Sequence, residues 1–89
     1  MNVLSMEQVD VLVALETASG WNLEYWELRK ELERRRPAQF ISLNQTFGEL
    51  TRRKLIEYQL DPQITAGMLG RYQLTYEGRA VLRKQLGLA

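Results

Sequence analysis

The chain is 89 residues long, 45% hydrophobic, and carries twelve basic and eleven acidic side chains for a formal net charge of +1. A chain of this length folds as one small domain that buries about 60–65% of its unfolded surface; with neither cysteine nor histidine, it has no disulfide, no thiolate, and not the commonest general base and metal ligand. The charge is unevenly distributed: up to Glu33 seven acidic residues stand against two basic ones, and from Arg34 onward ten basic residues stand against four acidic ones, which predicts a two-sided molecule whose basic side suits a polyanion.

No repeat, low-complexity tract or linker divides the sequence, so one domain is expected over 1–89. The opening residues carry no basic segment followed by a long apolar run, and no stretch approaches about 18 uninterrupted apolar residues. A soluble, cytoplasmic chain without a membrane segment is the expectation. A first helix is predicted from about Met6 to Ser19: Ser5 and Gln8 have capping-box spacing, Leu4 and Val9 stand as a hydrophobic staple, and Gly20 is placed to close the helix in the left-handed conformation. Met6, Val9, Leu12 and Val13 make one apolar stripe, and Val11, Leu15 and Ala18 widen it onto a second side. That width predicts either a centrally buried helix or a contact with a second copy in a homodimer.

A second helix is predicted over "WNLEYWELRKELERRR", opened by Asn22, with Trp21 and Trp26 in staple positions and Tyr25, Leu28 and Leu32 aligned at helical spacing. The two tryptophans read as core and staple rather than as a ligand platform. Glu27 to Lys30 and Glu31 to Arg35 are spaced for weak surface pairing, and Pro37 ends the helix. A third helix follows in "ISLNQTFGELTRRKL", with capping-box spacing between Ser42 and Gln45. Leu43, Phe47, Leu50 and the stem of Lys54 fall on one side. Asn44, Gln45, Glu49, Arg52 and Arg53 fall on the other, with Thr46 near the border. Gly48 in mid-helix is unfavourable by about 1 kcal/mol against alanine, which predicts a close contact there.

Two stretches then alternate with a period of two. Ile56, Tyr58 and Leu60 form one apolar row, and Tyr72, Leu74 and Tyr76 the other, as expected of adjacent antiparallel strands facing one core. The loop between them, "DPQITAGMLG", has the proline and glycines of a projecting turn. Thr75 is placed to cap a last helix from about Tyr76 to Leu86, with Glu77 in its first turn and Val81, Leu82 and Leu86 inward. The predicted class is mainly α with a small β-hairpin, an α+β fold.

With the segments "LTRRKLIEY" and "GRYQLTYEGRAVL", the sequence resembles the winged helix-turn-helix domains of MarR- and PadR-like transcriptional regulators. Leu50, Leu55 and Ile56 match the pattern that leads from a helix into a wing, and Tyr72, Leu74, Thr75 and Gly78 match a Tyr-x-Leu-Thr-x-x-Gly signature. The resemblance covers nearly the whole chain. It implies the order helix, helix, helix, strand, wing, strand, helix, with the third helix, about 42–54, as the recognition helix and 61–70 as the wing. Such a helix enters the major groove of double-stranded DNA. By this resemblance Asn44 and Gln45 are suited to adenine, Arg52 and Arg53 to guanine or phosphate, and Ser42 and Thr46 to the backbone or a thymine methyl. Glu49 either accepts from cytosine or repels phosphate. Arg34, Arg35, Arg36 and Lys54 fit as phosphate contacts that position the protein, with Arg71 the first basic residue after the wing tip.

Enzymatic function is not expected, since no carboxylate pair of recognisable spacing replaces the missing histidine and cysteine and "GMLG" is no phosphate-binding loop. No cofactor or metal is implied. The leading expectation is a small sequence-specific DNA-binding regulator, and the alternative is a winged helix serving as a protein-interaction module. Ile64, Met68 and Leu69 in the wing motivate that alternative, because apolar loop residues mark partner surfaces.

Overall fold

The helices α1 and α4 start from local capping signals in the sequence. The computed structural model describes residues 4–35, 43–59 and 70–88. Helix α1 (Met6–Thr17) begins with the expected reciprocal box, Gln8 N–H donating to Ser5 Oγ at 3.2 Å and Ser5 N–H donating to Gln8 Oε1 at 3.0 Å. It stops earlier than predicted, at an extended Ala18. Gly20 does turn left-handed, at φ 70°, but inside a short 3-10 turn over Ser19–Trp21 rather than as the cap of α1. Trp21 shares that conformation at φ 59°, which costs a non-glycine residue roughly 1–2 kcal/mol. Its ring packs edge-on against Tyr76, 5.6 Å between centroids, under the Arg79 guanidinium at 5.0 Å.

The turn delivers the chain into strand β1 (Asn22–Glu24), which replaces the predicted start of the second helix. Helix α2 (Tyr25–Arg35) follows, then α3 (Leu43–Arg52), strands β2 (Ile56–Gln59) and β3 (Arg71–Leu74), and helix α4 (Tyr76–Gln85). The protein is thus a mixed α+β domain, with four helices and a three-stranded antiparallel sheet in the order β1-β3-β2 among the described residues. Ile56 stands opposite Leu74 and Tyr58 opposite Tyr72, so these four share a face as their alternation required, whereas Tyr76, expected in the same row, is instead the first residue of α4 and 84% exposed, and Leu60 lies outside the described residues. Burial, with Tyr58 and Tyr25 beside it, pushes the Tyr72 phenol above its ordinary pKa of 10.0. No helix among the described residues is long and apolar enough to cross a membrane.

The core joins Val11, Leu12 and Leu15 of α1 to Leu28 and Leu32 of α2, Phe47 and Leu50 of α3, Ile56, Leu74 and Leu82. Each such side chain contributes about 1.5–3 kcal/mol by leaving water. The centre of α1's buried face differs from the predicted stripe: Met6 is 62% exposed, whereas Val11 and Leu15 are fully enclosed. The side of α1 that motivated a homodimer contact is therefore spent inside the monomer. Trp26 is half exposed, edge-on to Tyr25 and under Arg29, so the two tryptophans do not form a staple. Leu86, expected inward, lies exposed past the end of α4.

The end of α3, the end of β3 and the start of α4 meet at one junction. Lys54 adopts a left-handed φ of 61°, with Lys54 N–H donating to the Thr51 carbonyl and Leu55 N–H to the Leu50 carbonyl, both at 3.0 Å. This is a Schellman closure, and it turns Lys54 outward instead of laying its stem on the core. The Thr75 hydroxyl lies 2.8 Å from the Lys54 carbonyl and 3.0 Å from that of Leu55, and accepts the Gly78 N–H at 2.9 Å as the cap of α4. At Gly78 a Cβ would lie 2.0 Å from the Leu55 carbonyl oxygen, so a side chain is sterically excluded. The Thr-x-x-Gly element of the sequence therefore has a structural cause.

Candidate nucleic-acid interface

Helix α3 is amphipathic because its apolar residues recur at helical spacing. Phe47 and Leu50 are buried, Leu43 packs against the core, and Thr46, expected near the border, is buried with them. Thr46 therefore does not belong to the outer surface. At 3.6 residues per turn, Gln45, Gly48 and Arg52 follow one line along the opposite side, flanked by Asn44. All four are exposed. Among the described residues, the side chains of Asn44, Arg52 and Lys54 have no hydrogen-bond or ion-pair partner.

The remaining polar residues of α3 are committed within the fold. Glu49 accepts from Gln8 Nε2 at 3.0 Å and from Gln45 Nε2 at 3.3 Å. Arg53 leans back toward Gln8 Oε1 at 3.5 Å. Gln8 thus caps α1 and braces α3 at once, a role the local capping pattern gave no means of seeing because its partners lie 41 and 45 residues away. With both carboxylate oxygens of Glu49 held by amides, its negative charge lies at the α1 edge of the outer face.

Most other predicted cations have partners too. Arg34 donates to Glu31, and Arg35 lies 3.5 Å from the same carboxylate. The hydrogen bond from Arg34 holds the Glu31 carboxyl below its ordinary pKa of 4.5, opposed by desolvation and helped by the charges of Arg34 and Arg35. Arg71 sits on the sheet, its Nε donating to Asn22 Oδ1 at 3.0 Å and its NH1 to Glu24 at 3.3 Å. Asn22 and Glu24 were unrecognised partners, because a three-residue strand is too short to show a period. Arg79 and Arg83 flank Glu16 at 2.9 and 3.8 Å. Two acids of the first third, Glu16 and Glu24, are thus matched by arginines of the last third. Ser42, Arg36 and the loop tip with Ile64, Met68 and Leu69 lie outside the described residues.

The structure thus gathers Asn44, Gln45, Arg52 and Lys54 on or beside one exposed helix face, and draws Arg71, Arg34, Arg35 and Arg53 into internal pairs. No family model, curated protein or solved structure matches the chain.

Proposed function

We propose that the protein is a non-catalytic, winged-helix DNA-binding protein of the transcription-regulator type, with α3 as the helix that enters the major groove. The observation that carries this reading is the outer face of α3: amides and a guanidinium, the groups that pair with base edges, stand exposed on a helix whose other side is anchored by Phe47 and Leu50. The succession of three helices, two paired strands and a closing helix, to which β1 adds a third strand, also supports it. Asn44, Gln45 and Arg52 would read bases, while Lys54 at the helix end holds phosphate.

The test is titration of the protein against labelled random-sequence and genomic duplexes at several salt concentrations. Binding should weaken steeply with salt, and Arg52→Ala or Lys54→Ala should each lower the log–log salt slope by about 1. Absence of binding even at low ionic strength overturns the proposal. If a stoichiometric protein partner is instead recovered, lost on Met68→Asp and Leu69→Asp but kept on Arg52→Ala, the interaction-module reading takes its place.

A further inference from the structure

Gly48 occupies the middle of the exposed face of α3, between Gln45 and Arg52, and a Cβ built on it would meet nothing within 4 Å. Among the described residues nothing makes the close contact expected at this glycine: its φ is not left-handed, and no neighbour approaches it. Glycine is nonetheless the poorest helix former after proline. The chain therefore tolerates a weak helical position on the exposed side of α3.

We propose that Gly48 is the point of closest approach between α3 and bound DNA, where the missing side chain lets a groove edge come against the helix backbone. The inference rests on α3 being the DNA-binding helix. A helix with side chains is about 10–12 Å across and the major groove about 12 Å wide, so the fit has little slack. A methyl group at the centre of the contact face lifts the whole helix. The hydrogen bonds from Asn44, one turn before, and Arg52, one turn after, then lengthen together. The positive charge of Arg52 and Lys54, and an exposed Asn44 amide with no partner among the described residues, suit this face to a polyanion with acceptor-rich edges.

The experiment compares wild type, Gly48→Ala, Gly48→Leu and Arg52→Ala in thermal unfolding and in titration with a labelled random-sequence duplex. Alanine and leucine are both strong helix formers, so both variants should melt higher, Gly48→Ala by about 4–8 °C. Affinity should fall in the opposite direction, about tenfold for Gly48→Ala through loss of one charge-assisted hydrogen bond, and further for Gly48→Leu. Falling affinity with rising melting temperature separates a close approach from a folding defect. If the Gly48 variants bind as tightly as wild type while Arg52→Ala is weakened, the close-approach inference fails and the DNA reading stands. A lower melting temperature in Gly48→Ala also overturns it, by showing an internal role for the glycine. If wild type does not bind the duplex, both readings fall.

Discussion

Gly48 and Gly78 both stand within α-helices, where glycine costs about 1 kcal/mol against alanine, yet their surroundings are opposite. A Cβ at Gly78 would lie 2.0 Å from the Leu55 carbonyl oxygen, and one at Gly48 would touch nothing within 4 Å. The two regions around them differ in the same sense. At the junction of α3, β3 and α4, the special residues Thr75 and Gly78 have their reasons inside the molecule, in carbonyls that need a donor and in a helix that must approach a backbone closely. On the outer face of α3, the exposed Asn44 and Arg52 and the open Gly48 have no such reason among the described residues. A residue that breaks a local rule without an internal cause points to a partner. One that breaks it with a cause points to packing.

Gly78→Ala should break the junction most severely. Leu55 O belongs to the backbone and cannot rotate aside, so α4 must shift against the strands, at a cost of about 3 kcal/mol. The urea midpoint should drop accordingly; a midpoint equal to wild type would show slack at the contact and dissolve the contrast with Gly48. Thr75→Ala comes next, losing the cap of α4 and the donor to two carbonyls at about 1–2 kcal/mol, and Thr75→Ser should restore most of it because the hydroxyl is kept. A serine variant as unstable as the alanine one would place the loss in the methyl group instead.

These junction residues were legible in the sequence, since Thr75 was readable as a cap and Tyr72 and Leu74 as one apolar row of a strand. The capping box of Ser5 and Gln8 and the burial of Phe47 and Leu50 were equally local. What escaped was what depends on distant partners. Strand β1 forms because β3 is there to pair with it, Asn22 with Gln73 and Glu24 with Arg71, and nothing within three residues announces that. For α1 the sequence left central burial and contact with a second copy open, and only its packing by several elements at once decides it, enclosing Val11 and Leu15 together with Leu12 and leaving Met6 outside. For the candidate site, the residue types were readable but not their commitments. Arg71 and Arg53 became internal partners only once the fold brought β1 and Gln8 to them.

Lys54 lies on the border between the two regions, which makes it a sharper probe of them. Its left-handed φ of 61° strains a residue with a Cβ by about 1 kcal/mol or somewhat more, while glycine adds freedom to the unfolded chain, so Lys54→Gly should gain only about 0.5 kcal/mol. The same substitution removes an unpaired ammonium beside α3. Its expected signature is therefore a slightly higher urea midpoint together with a salt slope for DNA reduced by about 1. A loss of stability would mean that the lysine stem packs on the fold, contrary to its exposure.

Glu31 tests the contrast through its cations with the smallest effect. Arg34 and Arg35, both candidate phosphate contacts, are turned toward its carboxylate, whose pKa is held below 4.5 in the fold chiefly by the hydrogen bond from Arg34. A depressed carboxyl pKa means that the pair's stabilisation is present above the unfolded value near 4.5 and is lost as pH falls through the folded one. The stability gap between wild type and Glu31→Gln should therefore be a few tenths of a kcal/mol at neutral pH, close as pH falls below 4.5 through the depressed folded value, and shrink in high salt because the pair is largely solvated. At neutral pH, Glu31→Gln also frees both guanidinium groups, so DNA affinity should rise severalfold with a steeper salt slope. An unchanged slope would mean that Arg34 and Arg35 stand away from the DNA, which would leave Asn44, Gln45, Arg52 and Lys54 as the described part of the interface.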